Sequence, residues 1–102
     1  MWAQMIKMRL KAGKDVELTE MTDQLKALED PGSGLLRSTT MRDQSDPSTI
    51  YTLIVFESEQ KARARENDPR RQEALEPVRK LMSEIFDGPP EFVDLDVVTE
   101  SA

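Results

Sequence analysis

The chain has 102 residues, of which 37% are hydrophobic and 33% charged, a polar balance that is not typical of a disordered chain. Its 14 basic and 20 acidic residues give a net charge of −6, which disfavours nucleic acid and anionic membranes as partners because both require a basic surface. The length predicts a single domain over residues 1–102, with 99–102 as a frayed tail. A chain this short buries only a modest share of its surface, so we expect a partner subunit.

The residue types that are missing exclude several kinds of site. The chain has no cysteine, which excludes disulfides, thiolate catalysis and zinc–sulfur centres. It has no histidine either, which excludes a Ser-His-Asp triad and a histidine-ligated haem or zinc. No apolar run approaches the ~20 residues of a membrane span, and the N-terminus lacks a signal-peptide pattern, so we expect a soluble cytoplasmic protein.

An alternating pattern over residues 2–11 predicts the first strand, with Trp2 and Gln4 on one face and Ala3 on the other. After a turn, Asp15 is expected to cap a helix. The apolar positions of this helix recur at helical spacing and are Leu18, Met21, Leu25 and Leu28. The sequence DPGSG ends the helix, because proline cannot continue it and glycine tolerates the exit turn.

The middle of the chain predicts a β-hairpin. Residues 35–42 form its first strand, residues 43–48 its turn, and residues 49–57 the strongest strand of the chain. That third strand is apolar on both faces, with Ile54 on one side and Leu53 on the other. Such a strand is usually central and covered on both sides.

The last third predicts a broken helix and a closing strand. Ser58 is expected to cap the helix, with Glu59 in the first turn, where negative charge suits the helix dipole. The sequence NDP at Pro69 predicts a break, and Pro77 predicts a kink or a second break. Alternation over residues 91–98 predicts the final strand.

The resulting order β-α-β-β-α-β predicts an α+β, ferredoxin-like fold, in which two helical regions cover one face of a four-stranded antiparallel sheet. The apolar outer side of the third strand also needs cover. A second copy of the sheet would supply it, so the pattern predicts a symmetric homodimer through the sheet faces.

Three stretches carry a resemblance to the antibiotic biosynthesis monooxygenase (ABM) family of dimeric α+β barrels. They are MIKMRLKAGK, FESEQKARA and GPPEFVDLDVV. The resemblance implies a pocket between sheet and helices. In some members an ionisable phenolic or quinol-like substrate reduces dioxygen itself, without metal or flavin; others open the haem ring. It therefore implies a cofactor-independent monooxygenase acting on an aromatic or polyketide-like compound, with no cofactor expected.

The sequence departs from the active patterns of that family. The haem-degrading branch uses an asparagine on the first strand, where this chain has Met5 and Ile6, and its only asparagine is Asn67. The axial histidine of that branch is also missing, so haem degradation is disfavoured. These departures bring an alternative hypothesis almost level with the monooxygenase, namely a non-catalytic module that binds a small hydrophobic ligand or a partner protein.

Four side chains are candidates for catalytic or pocket groups. Trp2 would line the pocket or donate a hydrogen bond, or else pack at the rim or in the dimer interface. Gln4 is polar on an apolar strand face, either as a pocket hydrogen-bonding group or as an end-of-strand residue near water. Arg37 would orient an anionic substrate, or else protect an edge strand. Tyr51 would donate to a substrate oxygen, or else lie in the interface with its hydroxyl hydrated.

Two charged groupings have alternative interpretations. A basic cluster comprises Arg63, Arg65, Arg70 and Arg71 and is interleaved with acidic residues. This pattern is typical of a solvated helix face, the alternative being a contact with an anion or a partner. Asp94 and Asp96 share a strand face and would bind a metal or act as acid and base, or else face solvent. Without histidine or a third carboxylate at fixed spacing, the solvent-facing interpretation is favoured.

Overall fold

A computed structural model of the protein describes all 102 residues. The elements are β1 (Trp2–Arg9), α1 (Asp15–Ala27), β2 (Leu35–Arg42), β3 (Thr49–Phe56), α2 (Glu59–Glu66), α3 (Pro69–Ala74), α4 (Glu76–Ile85) and β4 (Glu91–Asp96). The strands form one antiparallel sheet in the order β2-β3-β1-β4. This topology confirms the predicted ferredoxin-like α+β fold.

The central pair of strands, β1 and β3, determines which side chains face the helices. Trp2 lies opposite Phe56, and Met8 lies opposite Ile50. Because side chains alternate along a strand and opposed residues share a face, these four side chains all point toward the helical layer. All four are buried, as the alternating pattern of the first strand predicts.

The core lies between this sheet face and the helices, in two clusters. The larger one contains Met8, Leu10, Met21, Ile50, Val78, Ile85 and Phe86, and the smaller one contains Trp2, Phe56 and Ala62. Ile85 is 1% exposed, and burying an aliphatic side chain of this kind contributes about 1.5–3 kcal/mol. None of the helices combines the length and apolar composition that a membrane span requires.

The prediction that Asp15 caps α1 is wrong. Lys14 occupies the N-cap position and its side chain makes no capping hydrogen bond. Asp15 is instead the first helical residue, and its carboxylate pairs with Arg42 of β2. A negative charge in the first turn still suits the helix dipole, so the sequence indicated the helix start but not the local backbone geometry.

The broken helical region follows the predicted signals. The Lys61 N–H donates to Ser58 Oγ at 3.2 Å, which confirms Ser58 as the N-cap of α2. Asp68 caps α3 by accepting from the Arg70 N–H at 2.9 Å, with Pro69 as the first helical residue. The second break falls between Ala74 and Glu76, just before Pro77, because proline fits only the first turn of α4.

The face of the sheet opposite the helices is apolar and only partly covered. It carries half-buried side chains of β1 and β3 and exposed ones of the edge strands: Met5, Tyr51, Leu53, Met41, Val93 and Leu95. We call these residues the open face. The third strand is therefore apolar on both sides, as predicted, and the chain itself leaves Tyr51 and Leu53 on one of those sides only half-buried.

The C-terminal tail crosses one end of the open face. The Val97 N–H donates to the Met1 carbonyl oxygen at 3.4 Å, and Glu100 pairs with Arg37 of the opposite edge strand at 3.2 Å. Since the tail leaves β4 and reaches β2, it passes over the two central strands. Ala3 and Val55 lie on that end of the face and are 4% and 2% exposed.

A comparison of two glycines tests the packing of β2 against α2. Gly34 has φ +84°, and a Cβ there would lie 2.6 Å from Lys61 Cδ and 2.8 Å from Lys61 Cβ. Gly13 has φ +78° and open space around it. We expect Gly13→Ala to cost about 1–2 kcal/mol of unfolding free energy from backbone strain alone. We expect Gly34→Ala to cost about 1–3 kcal/mol more, because the helix must shift. Urea denaturation measures both, and equal losses would contradict the close contact.

Candidate functional site

A cleft of about 170 Å³ lies between the helix-facing side of the sheet and the segment α2–α4. Its apolar lining residues are Trp2, Ile54, Phe56, Ala62 and Leu75, and its polar ones are Gln4, Arg63, Arg65, Glu66, Arg71 and Arg79. The ring centroids of Trp2 and Phe56 are 6.0 Å apart, with the planes tilted by 45°. The two rings form an aromatic wall on the sheet side of an otherwise strongly cationic cleft.

A hydrogen-bonded network holds the polar groups at the β1 end of the cleft. Gln4 Nε2 donates to Asp94 Oδ1 at 3.0 Å, and Arg63 Nη2 donates to Asp94 Oδ2 at 2.8 Å. These bonds, first from Gln4 and then from Arg63, hold the pKa of Asp94 below its usual value. The bond to Asp94 in turn raises the pKa of Arg63. The Arg63 guanidinium lies 5.0 Å from the Trp2 ring centroid, a cation–π contact that fixes the indole.

A second cluster, at the far side of the cleft, contains Glu29, Arg65 and Arg71. Arg65 binds Glu29 through two nitrogens, Nε to Oε2 at 3.0 Å and Nη2 to Oε1 at 2.6 Å. Burial tends to raise the pKa of Glu29, but the hydrogen bonds and charge of Arg65, with the charge of Arg71, bring the pKa below its usual value. Arg65 also lies 5.3 Å from the Phe56 ring centroid. The cluster thus joins the α1–β2 loop to the aromatic wall.

Arg71 interacts with Glu29 more weakly than Arg65 does. Its nearest carboxylate oxygen is Glu29 Oε1, 3.9 Å from Nη1, and its side chain is 13% exposed. Burial, followed by repulsion from Arg65, lowers the pKa of Arg71. An adjoining groove of about 420 Å³ between the α1–β2 loop and α2–α3 also has Arg65 and Arg71 in its lining. Arg71 therefore lies where the cleft and the groove meet.

The structure separates the four predicted site residues into two pairs. Trp2 and Gln4 line the cleft. Arg37 lies opposite Val55, and Tyr51 lies opposite Lys7, so both are on the open face. The four side chains therefore do not share one cleft, because strand alternation places these pairs on opposite sides of the sheet.

The basic cluster is likewise divided. Arg70 is solvated, with a side chain that is 88% exposed, whereas Arg65 and Arg71 are 17% and 13% exposed. The solvated-face interpretation is wrong for these two residues. Sequence reasoning also missed Arg79, which lines the same cleft. A signal for it exists, because Arg71 and Arg79 are eight residues apart and fall on one face if the helix register continues through the break.

The acidic pair on β4 is not arranged as a metal site. Asp94 is engaged by Gln4 and Arg63, and no group of three Asp or Glu side chains has a geometry that would hold a metal ion. The side chain of Asp94 remains 49% exposed on the edge strand.

The sequence matches no protein-family model and no curated protein. Solved structures do match it over almost the whole chain. MhuD, in a form with two manganese protoporphyrin IX molecules per active site, has a TM-score of 0.81 at 17% identity, covering 100% of this chain and 99% of its own. SnoaB, a cofactor-independent oxygenase from Streptomyces nogalater, has a TM-score of 0.77 at 11% identity, covering 97% and 94%.

A third match is a Chloroflexus aurantiacus protein provisionally named an antibiotic biosynthesis monooxygenase. Its TM-score is 0.67 at 22% identity, covering 99% of this chain and 96% of its own. The chain has the antibiotic biosynthesis monooxygenase fold. Within this ABM fold, the cleft lies between the sheet and the second helical region, on the side where the resemblance in the sequence implied a pocket.

The lowered pKa of Glu29 makes the stability of this ABM-fold protein depend on pH in the acid range. Because the folded-state pKa is lowered, ionised Glu29 stabilises the fold above its unfolded pKa of about 4.3, and this contribution is lost as the pH falls through the folded value. We expect Glu29→Gln to cost about 2 kcal/mol of unfolding free energy at pH 7. The difference from the unmodified protein should shrink below the folded pKa. Urea denaturation across the acid range measures this, and a pH-independent difference would contradict it.

Proposed function

We propose that the protein is a small-molecule monooxygenase that needs no cofactor and acts on an aromatic or polyketide-like compound in the cleft. The observation that carries the proposal is the cleft itself, in which the aromatic wall of Trp2 and Phe56 meets the hydrogen-bonding group of Gln4. Support also comes from the fold, which resembles that of SnoaB, a cofactor-independent oxygenase.

The proposed reaction uses the substrate as its own reductant. An ionised phenol or quinol-like ring donates electrons to dioxygen, one oxygen atom forms a carbonyl at a ring CH₂ carbon, and the other leaves as water with the two hydrogens of that carbon. The protein then needs to bind the ring, stabilise its anion and accept a proton. The apolar lining of the cleft, which includes Trp2 and Phe56, suits the ring, and the arginines of the lining suit the anion.

Two further groups have roles in this proposal. Gln4 uses one amide hydrogen on Asp94, and its carbonyl oxygen makes no hydrogen bond within the chain, so it is free to orient a substrate hydroxyl. Glu66 is the only carboxylate among the lining residues and is the group that would accept the substrate proton. Its ion pair with Arg63, at 3.1 Å, fixes it beside the aromatic wall.

Haem does not fit the residues of the cleft. MhuD is described with manganese protoporphyrin bound. This chain has no histidine, and the cleft lining includes no cysteine, methionine or tyrosine, so the usual axial ligands of haem iron are missing there. The proposed reaction therefore involves no haem step.

One observation favours the alternative, a non-catalytic module that binds a small ligand or a partner protein. The cleft measures about 170 Å³, whereas ligand sites usually occupy about 300–1,000 Å³. A substrate with three fused rings would have to extend into the adjoining groove, which shares Arg65 and Arg71 with the cleft. Activity measurements separate the two functions.

The same proposal includes a homodimer formed through the open face. Apolar side chains such as Leu53 and Leu95 are left half-buried or exposed there, and a chain of 102 residues gains stability by covering them. A face that pairs with its own copy is the usual geometry of a twofold dimer. Arg37 and Tyr51, which lie on this face, would then act at the interface rather than in the cleft.

Oxygen uptake tests the enzymatic function. The purified protein is expected to consume oxygen with some member of a panel of hydroquinones and anthrones. Gln4→Leu is expected to slow that uptake by about tenfold or more, because the substrate hydroxyl loses its orienting partner. Gln60→Leu, an equivalent change on an exposed position of α2, is the control and should keep the rate. Absence of uptake across the panel would favour the non-catalytic module.

Light scattering tests the dimer. The unmodified protein is expected to have twice the mass of one chain at micromolar concentration, and Leu53→Arg should give a folded monomer because it buries an unpaired charge in the interface. Val16→Arg, at a position 77% exposed on α1, is the matched control and should remain dimeric. A monomeric unmodified protein would contradict the proposal.

A further inference from the structure

Four arginines line the cleft, and three of them have carboxylate partners within hydrogen-bonding distance. Arg63 donates to Asp94 at 2.8 Å and to Glu66 at 3.1 Å. The other two pairs are Arg65 with Glu29 at 2.6 Å and Arg79 with Glu76 at 3.1 Å. Arg71 is the exception, since its guanidinium makes no hydrogen bond and its nearest carboxylate oxygen is 3.9 Å away.

The guanidinium of Arg71 is confined but still reached by solvent, since none of its nitrogens is both buried and unsatisfied. A guanidinium carries five N–H donors, and donors placed in a confined position are normally satisfied. The side chain of Arg71 is 13% exposed, and repulsion from Arg65 adds to the effect of burial in lowering its pKa. A charge in this setting gains more from an incoming anion than a solvated surface arginine would.

The shape of the Arg71 guanidinium and the charges around it limit which anions can bind there. A carboxylate matches the guanidinium fork with two parallel hydrogen bonds. The other three arginines are already compensated, and Glu29 lies close to Arg71, so the site has room for only one further negative charge. A doubly charged phosphate would face Glu29 without a second free guanidinium.

We propose that Arg71 binds the carboxylate of an aromatic acid whose ring lies in the cleft lined by Trp2 and Phe56. The inference rests on the proposed function, since it assigns the substrate class of the same cleft. Arg71 is the specificity-determining residue of this site, and it selects acids over neutral compounds of the same ring size. Its position between cleft and groove lets the carboxylate bind while the ring remains on the aromatic wall.

A pair of matched probes tests this inference. They are anthracene-2-carboxylate and the neutral 2-(hydroxymethyl)anthracene, which differ in charge but share the ring system. Trp2 is the only tryptophan of the chain and lines the cleft, so quenching of its fluorescence reports binding there. Arg71→Gln removes the charge. Lys80→Gln is the control, because it removes a positive charge at an exposed position of α4 outside both the cleft and the groove.

The unmodified protein is expected to bind the acid about tenfold or more tightly than the alcohol, and Arg71→Gln should abolish that preference. The affinity for the alcohol should stay constant, as should the preference in Lys80→Gln. The thermal midpoint of Arg71→Gln should be unchanged or higher, whereas a merely structural arginine would lower it. Equal binding of both probes, or an undiminished preference in Arg71→Gln, would overturn the inference.

The outcome is separable from that of the proposed function. Binding of neither probe overturns the carboxylate site, while oxygen uptake with neutral hydroquinones would still support the oxygenase. Conversely, selective binding of the acid without any oxygen uptake would support the carboxylate site, but as part of a non-catalytic ligand-binding module.

Discussion

The pairing of β1 with β3 is the constraint on which the rest of the structure depends. The two strands pair over eight residues, from Trp2 opposite Phe56 to Arg9 opposite Thr49. A shift by one residue would move every side chain of a strand to the other face of the sheet. If β1 shifted, Trp2 would leave the cleft and Met8 the core; if β3 shifted, Phe56 and Ile50 would be lost in the same way. Register thus determines both the core and the aromatic wall.

The pairing of the cleft arginines with carboxylates is the second constraint on the structure. The cleft contains four arginines in a chain of net charge −6, and most are held by carboxylates from other elements. Asp94 of β4 reaches Arg63 of α2, and Glu29 after α1 reaches Arg65. These bonds attach the second helical region to the sheet and to the first helix. They also leave Arg71 as the cation with the least compensation, which is why it is the natural point of contact for an anion.

Several features were predictable because short-range chemistry determines them. Strand alternation, the Ser58 cap and the break before Pro69 depend on neighbouring residues, and the structure has them as predicted. The cap of α1 was wrong by one position, since the exact cap depends on backbone angles that Asp15 does not fix alone. The sequence pattern indicated Trp2 and Gln4 of the cleft but not Arg79. Residues on either side of a helix break come together only when the helices pack against the sheet.

The sequence by itself determined the order of elements, the apolar faces of the strands and the absence of histidine and cysteine chemistry, because these follow from composition and local periodicity. Only the tertiary structure decided which polar groups meet. It placed Gln4, Arg63 and Asp94 in one network and moved Arg37 and Tyr51 to the other side of the sheet. The reason is that contacts between residues far apart in the chain depend on strand register and helix packing, which no local pattern encodes.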